Sequence, residues 1–156
     1  MHAISADSHV VEGRDVFTGL AERFGDIAPR VMDLKDQVDA IVVPANGMRG
    51  VSVARMGMAA TRLARNEPLD RKAGHKPDVA RMDDPELVAL FNSGYAGMRK
   101  GLVDGAYRYI DQDVDGLKCE FLYPGYFGMF GMKDVELLVA LQKNYNDWLH
   151  DYTTAS

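Results

Sequence analysis

The sequence predicts an α/β fold built around a parallel sheet or barrel. Strand-like and helix-like patterns alternate along the chain in the order strand, insertion, helix, strand, helix. This alternation is typical of parallel sheets, because helices join their strands. The 156 residues are 47% hydrophobic and 26% charged, which is an ordinary globular composition. We expect one domain at this length.

The first strand is predicted over residues 3–11, where Ile4 and the Val10-Val11 pair supply the apolar character. A helix is predicted over residues 15–24, because three apolar side chains recur there at helical spacing. Gly25 and Pro29 follow this helix and should end it.

A β-hairpin is predicted next, with strands over residues 30–34 and 37–43 on either side of a tight Lys35-Asp36 turn. No helix lies between the two strands, so we expect the hairpin to be an insertion that stands outside the parallel sheet. A further helix is possible over residues 51–63, which are rich in small side chains.

The middle of the chain contains a predicted loop over residues 66–77, with two prolines and several charges. After this loop, Asp83 or Asp84 can cap a helix that has Pro85 at its first position. Apolar residues at helical spacing carry this helix to about Lys100, and Gly101 should end it.

The last third of the chain has the clearest pattern. A helix over residues 107–114 leads through Gly116 into a strand over residues 117–123. An aromatic, glycine-rich loop follows, and Asp134 then caps a helix that runs to about Tyr152. That helix has a continuous apolar stripe formed by Leu138, Leu141, Tyr145, Trp148 and Tyr152.

Charge and cysteine content argue against several classes of protein. The chain has 18 basic and 23 acidic residues, a net charge of −5, which argues against nucleic-acid binding. We expect no membrane association, because no apolar run approaches the roughly 18 residues of a membrane span. Cys119 is the only cysteine, so a reducing, cytoplasmic location is expected. We expect its side chain to be buried as a small apolar residue.

Asp7 and His9 are the candidate metal ligands. Residues two apart in a strand point to the same side, so the two side chains should converge near the end of the first strand. A carboxylate oxygen and an imidazole nitrogen form half of a divalent-metal site. The alternative is a histidine that is only hydrogen-bonded. His75, in the predicted loop, and His150, near the end of the last helix, are less suited to be ligands.

Three segments resemble the amidohydrolase-related family, the metal-dependent barrel enzymes similar to aminocarboxymuconate semialdehyde decarboxylase. They are ISADSHVVE at residues 4–12, DVDGLKCEFLYP at residues 113–124 and NYNDWL at residues 144–149, in the order in which the family has them. Residues 46–105 match the family poorly.

This resemblance implies a (β/α)8 barrel with its metal at the C-terminal mouth. The acidic-x-His pair of the family's first strand corresponds to Asp7 and His9, and a further His and Asp come from later strands. The implied metal is Zn²⁺, with Mn²⁺ as the alternative. Tyr123, at the end of the second strand, would contact the substrate. A whole barrel needs about 200–250 residues, so the chain is expected to be an incomplete N-terminal portion with barrel strands 1 and 2.

The implied function is metal-dependent hydrolysis of a small amide-like or ester-like substrate. Metal-dependent decarboxylation is the alternative within the same family, and an inactive remnant is a third possibility. The expected partner is a small-molecule substrate. The chain is also expected to self-associate, because the strands of an incomplete barrel have unpaired edges.

Overall fold

The computed structural model describes residues 3–35, 37–53, 85, 89, 92–125 and 131–155. The chain divides into two compact units. The first comprises Met1–Val31, Val42–Gly50 and Lys100–Ser156, and the second comprises Met32–Ile41 and Val51–Arg99.

A two-stranded parallel sheet lies in the first unit. Strand β1, Ala3–Val10, pairs in parallel with strand β5, Leu117–Pro124. The parallel pairing of these two predicted strands is therefore confirmed. Helix α2, Gly105–Asp115, leads into β5. Asp104 caps its N-terminus, because the Asp104 carboxylate accepts a hydrogen bond from the amide of Ala106.

The long C-terminal helix is also confirmed. Helix α3 spans Val135–Thr154, and the Asp134 side chain caps it by accepting from the amide of Leu137 at 3.0 Å. Most of its predicted stripe is buried; Leu138 and Trp148 are only partly covered, and Leu137 is buried in addition. The helix packs against α2 and against the segment that follows β1.

The helix predicted over residues 15–24 is wrong as one continuous element. A 3-10 turn, Arg14–Phe17, is followed by a short helix α1, Leu20–Phe24. Gly19 separates them, because its φ of 75° is left-handed and cannot continue a helix. Gly25 ends α1, as predicted.

A second sheet has three strands in the order β2, Arg30–Leu34, β3, Gln37–Val43, and β4, Met48–Ser52. Only two residues join β2 to β3, so this pair is antiparallel. The predicted hairpin is confirmed, and it lies outside the β1–β5 sheet.

Strand β4 was not predicted, because residues 51 and 52 were assigned to a helix. The reason is the turn at Gly47. Its left-handed backbone, φ 65°, ends the 3-10 turn Pro44–Asn46, and the chain then continues as a strand. The rest of that predicted helix, the loop over residues 66–77 and the start of the helix predicted from residue 83 or 84 lie outside the described residues.

The predicted continuation of a helix to Lys100 is wrong. Gly94–Gly97 is a 3-10 turn, and Gly94 has a left-handed φ of 54°. In the second unit, the Asp39 carboxylate accepts a hydrogen bond from the amide of Tyr95 at 2.9 Å. A side chain at Gly94 would collide with that carboxylate, so the glycine permits the contact that redirects the chain.

The fold is thus mixed α/β, with one parallel and one antiparallel sheet. The strands among the described residues do not close into a barrel. Across the same residues, no helix is both long enough and apolar enough to cross a membrane.

Two buried tyrosines on α3 differ in their hydrogen bonding. The Tyr152 hydroxyl donates to the carbonyl oxygen of Gly101, whereas the Tyr145 hydroxyl has no hydrogen-bond partner among the described residues. Burial, and then the charge of Glu12, raise the pKa of Tyr145 to about 12. The Tyr145 hydroxyl is therefore buried without a hydrogen bond that would offset the loss of its contact with water.

We expect Tyr145→Phe to leave the free energy of unfolding unchanged or to raise it by up to about 1 kcal/mol, since it removes an unsatisfied hydroxyl. Tyr152→Phe, the matched variant on the same helix, should lower it by about 1 kcal/mol, because the Gly101 carbonyl loses its donor. Urea unfolding of both variants is the measurement. A larger loss for Tyr145→Phe than for Tyr152→Phe would contradict the prediction.

Candidate functional site

Asp7 and His9 converge near the C-terminal end of β1. The Asp7 Oδ1 atom lies 3.2 Å from the His9 Nε2 atom. Asp7 is 82% exposed, whereas His9 is partly buried. The convergence expected from strand alternation is therefore confirmed.

A carbonyl group of the neighbouring strand orients the His9 ring. The Nδ1 atom lies 3.0 Å from the carbonyl oxygen of Pro124. A carbonyl oxygen only accepts, so Nδ1 must carry the hydrogen of this bond. The Nε2 atom then faces Asp7. Histidines that bind metals are held in this way, with one ring nitrogen donating to a carbonyl or carboxylate and the other bound to the ion.

The contact between His9 and Asp7 also has a chemical consequence. With Nδ1 protonated, Nε2 can donate to Asp7 only if it carries a second proton, which makes the ring a cation. A divalent cation between Nε2 and Asp7 would take the place of that proton. The two side chains therefore fit half of a ligand set that combines one nitrogen and one oxygen.

Tyr123 lies beside this pair. It is opposite His9 in the register of β1 and β5, and the two ring centroids are 6.0 Å apart at an angle of 43°. The Tyr123 side chain is exposed. The structure thus brings the three predicted site residues to one end of the parallel sheet.

A β-bulge in β1 determines on which side of the sheet the His9 side chain lies, the side that also carries Tyr123. Ser5 is opposite Glu120 and Ser8 is opposite Leu122, so three steps along β1 match two steps along β5. Side chains alternate between the two sides of a sheet along a strand. One extra residue therefore moves every later side chain of that strand to the opposite side. His9 consequently shares a side with Ile4, although the two are five residues apart.

A buried ion pair lies on the opposite side of the sheet. The Arg108 guanidinium of α2 donates to both carboxylate oxygens of Glu120, at 2.7 and 2.9 Å. Gln112 and the Ser8 hydroxyl donate to the same carboxylate at 2.8 and 2.9 Å. Side-chain exposure is only 14% for Arg108 and 5% for Glu120. Three side chains, through four hydrogen bonds, therefore satisfy a carboxylate that is almost completely buried.

The Arg108–Glu120 network contacts the segment of β1 that carries the candidate ligands Asp7 and His9. Ser8 belongs to the bulge, and Arg108 Nη1 also donates to the carbonyl oxygen of His9 at 3.5 Å. The sequence reasoning missed the network. The available signal was the pair Arg108 and Gln112, which lie one helical turn apart just before a strand that contains Glu120.

Burial on its own would raise the pKa of Glu120, but the hydrogen bonds from Arg108, Gln112 and Ser8 outweigh it and hold the pKa below the usual value. The stabilisation from this carboxylate is therefore complete above the unfolded pKa, about 4.3, and is lost as the pH falls through the folded pKa.

We expect Glu120→Gln to be less sensitive to acid than the wild type. The variant starts from a lower stability at about pH 7 but loses less of it by about pH 3, since it has no carboxylate to protonate. Urea unfolding across this range is the measurement. Asp147→Asn is the control, because it disrupts an exposed ion pair with Lys143. Equal loss of stability on acidification in Glu120→Gln and in the wild type would contradict the prediction.

The prediction that Cys119 is buried is wrong, because its thiol is exposed. Cys119, Phe121 and Tyr123 share one side of β5, and α2 covers the other side through Glu120. The Cys119, Phe121 and Tyr123 side chains on that side of β5 are all exposed to solvent.

No group of three or more His, Cys, Asp or Glu side chains that could hold a metal ion occurs among the described residues. Asp7 and His9 would supply only two ligands, whereas a catalytic zinc site has three from protein. His150 is exposed on α3, and His75 lies outside the described residues.

The comparisons with known proteins add no relative. No protein-family model, no curated protein and no solved structure matches the chain. The likeness to amidohydrolase-related proteins accordingly stays a prediction from the three sequence segments.

Proposed function

We propose that the chain carries the first-strand part of the divalent-metal site of a metal-dependent hydrolase, with Asp7 and His9 as ligands. The carrying observation is the orientation of His9: the Pro124 carbonyl holds Nδ1, and Nε2 faces Asp7. This orientation presents one nitrogen and one oxygen ligand to the same point in space. The proposed enzyme is an amidohydrolase-related barrel, of which β1 and β5 are the first two strands.

The proposed substrate is a small molecule with an amide-like or ester-like bond. A divalent cation, Zn²⁺ or Mn²⁺, supplies Lewis acidity that polarises such a carbonyl group. Tyr123 presents an exposed aromatic side chain beside His9, so we assign it to substrate positioning. The remaining ligands of a catalytic site must come from residues other than this pair.

The test is Zn²⁺ binding to the full chain, measured by competition with a chromophoric chelator. We expect His9→Gln and Asp7→Asn each to weaken Zn²⁺ binding by about 100-fold or more, since each removes a direct ligand. His150→Gln is the matched control and should bind as the wild type does. Circular dichroism establishes that every variant is folded. Unchanged Zn²⁺ affinity in His9→Gln would overturn the proposed site.

Nuclear magnetic resonance adds a sharper criterion. Long-range ¹H–¹⁵N spectra of the histidine rings distinguish the nitrogen that carries a proton from the one that binds a metal. We expect Zn²⁺ to shift the Nε2 resonance of His9 and to leave Nδ1 protonated, because Nδ1 is committed to the Pro124 carbonyl. Binding through Nδ1 would contradict the geometry.

A further inference from the structure

Hydrogen bonds on the side of the sheet that α2 covers span the bulge of β1. The Ser5 and Ser8 hydroxyl oxygens lie 2.7 Å apart, although residues three apart in a regular strand point to opposite sides. The Ser8 hydroxyl donates its single hydrogen to Glu120 Oε1 at 2.9 Å, so Ser5 is the donor to Ser8. A chain of two hydrogen bonds therefore crosses the bulge and ends on the buried carboxylate.

The partner of that carboxylate contacts the residue that follows the bulge. The Arg108 guanidinium donates to both Glu120 carboxylate oxygens, and its Nη1 atom lies 3.5 Å from the carbonyl oxygen of His9. Side-chain exposure is 14% for Arg108 and 5% for Glu120, so water competes little for these bonds. The buried pair thus contacts β1 at Ser8 and again at the backbone of His9.

The bulge determines the side of the sheet to which the candidate ligands point. If regular pairing continued from Ser5, His9 would lie opposite Pro124 instead of Tyr123. The side chains of His9 and Asp7 would then point toward α2, because a shift of one residue moves side chains to the other side. A bulge also interrupts the ladder of backbone hydrogen bonds, so contacts outside the ladder must stabilise it.

We propose that Ser8 is a positioning residue for the ligand His9, because it ties the bulge of β1 to the Arg108–Glu120 pair. The inference rests on the proposed function for the role of His9 as a ligand. Ser8 itself points toward α2 and acts only through the strand. Loss of a residue that orients a metal-binding histidine lowers metal affinity by about 10–100-fold.

The test compares Ser8→Ala with Gln112→Met in the full chain, with Zn²⁺ binding measured by competition with a chromophoric chelator. Each variant removes one hydrogen bond to the Glu120 carboxylate, 2.9 Å long from Ser8 and 2.8 Å long from Gln112, but only Ser8 belongs to the bulge. We expect Ser8→Ala to weaken Zn²⁺ binding by about 10-fold or more and Gln112→Met to change it by less than about 2-fold.

Ser8→Thr is the conservative variant. It retains a hydroxyl that can donate to Glu120, so its Zn²⁺ affinity should stay within about 3-fold of the wild type. Circular dichroism and urea unfolding establish that every variant is folded and how much stability it has lost.

A nuclear Overhauser spectrum of the metal-free chain adds a readout of the side on which His9 lies. The His9 and Tyr123 ring centroids are 6.0 Å apart, so their nearest ring protons are close enough for a cross-peak. We expect this cross-peak in the wild type, in Gln112→Met and in Ser8→Thr. In Ser8→Ala it should fall to about a tenth, because a 10-fold loss of affinity corresponds to a binding-competent arrangement populated to that extent.

Two results would overturn the positioning role of Ser8. One is a Ser8→Ala variant that keeps both the wild-type Zn²⁺ affinity and the cross-peak. The other is an equal loss of affinity in Ser8→Ala and Gln112→Met, since the effect would then follow the stability of the Glu120 network and not the bulge.

Failure of the proposed function gives a different result. A wild-type chain that binds no Zn²⁺ overturns the proposed metal site, whereas the cross-peak still tests the role of Ser8. A cross-peak lost only in Ser8→Ala then supports the positioning of the His9 ring, and an unchanged cross-peak overturns it.

Discussion

Replacing Arg108 with methionine is expected to lower the free energy of unfolding by about 3–5 kcal/mol. The substitution keeps much of the side-chain volume but leaves the Glu120 carboxylate, 5% exposed, without its cation. A buried charge cannot recover its lost hydration from neutral donors alone, and Gln112 and Ser8 are the only other donors that the described residues offer it.

Lys143→Met is the matched control for this prediction. Lys143 and Asp147 form an ion pair one turn apart on α3, with side chains 77% and 69% exposed. Water screens such a pair, so its loss should cost only about 0.3–0.5 kcal/mol. Urea unfolding at about pH 7 compares the two variants. A loss in Arg108→Met no larger than in Lys143→Met would show that the buried pair does not stabilise the fold.

A double variant separates the lost ion pair from lost packing. Arg108→Met combined with Glu120→Gln removes both charges and retains an amide that can accept from Ser8 or Gln112. We expect it to recover more than half of the stability lost in Arg108→Met, because no charge remains buried. No recovery would indicate that the guanidinium acts through packing on the strand.

Gly105→Ala is expected to destabilise the chain by about 3 kcal/mol or more, although alanine favours a helix over glycine by about 1 kcal/mol. Gly105 is the first residue of α2, and a Cβ atom there would overlap the carbonyl oxygen of Tyr152 and lie 2.7 Å from its carbonyl carbon. Both atoms belong to the backbone of α3, so no side chain can move aside. The two helices would have to separate.

Gly131→Ala is the control for Gly105→Ala. A Cβ atom at Gly131 would lie 3.6 Å from the Asn46 side chain, an ordinary contact, so the change should alter the stability by less than about 1 kcal/mol. Thermal and urea unfolding of both variants give the comparison. If Gly105→Ala proved more stable than the wild type, local helix propensity would outweigh the helix contact, and the prediction would be wrong.

The elements with local patterns could be predicted from the amino-acid sequence. Strand alternation indicated β1 and β5 and placed Asp7 beside His9, and the spacing of Leu141, Tyr145 and Tyr152 indicated the buried side of α3. These features depend on neighbours within a few residues, which is the range over which periodicity and capping act.

Which side of β5 is covered depends on contacts between residues far apart in the sequence. Glu120 and Cys119 are neighbours on one strand, yet α2 buries the carboxylate and leaves the thiol in water. The residues of the strand alone do not predict this choice, which depends on where Arg108 of α2 comes to lie. The bulge between Ser5 and Ser8 is likewise a property of the pairing with β5, and it sets the side from which His9 faces Asp7. Long-range packing made these choices, because they depend on partners that local sequence patterns do not specify.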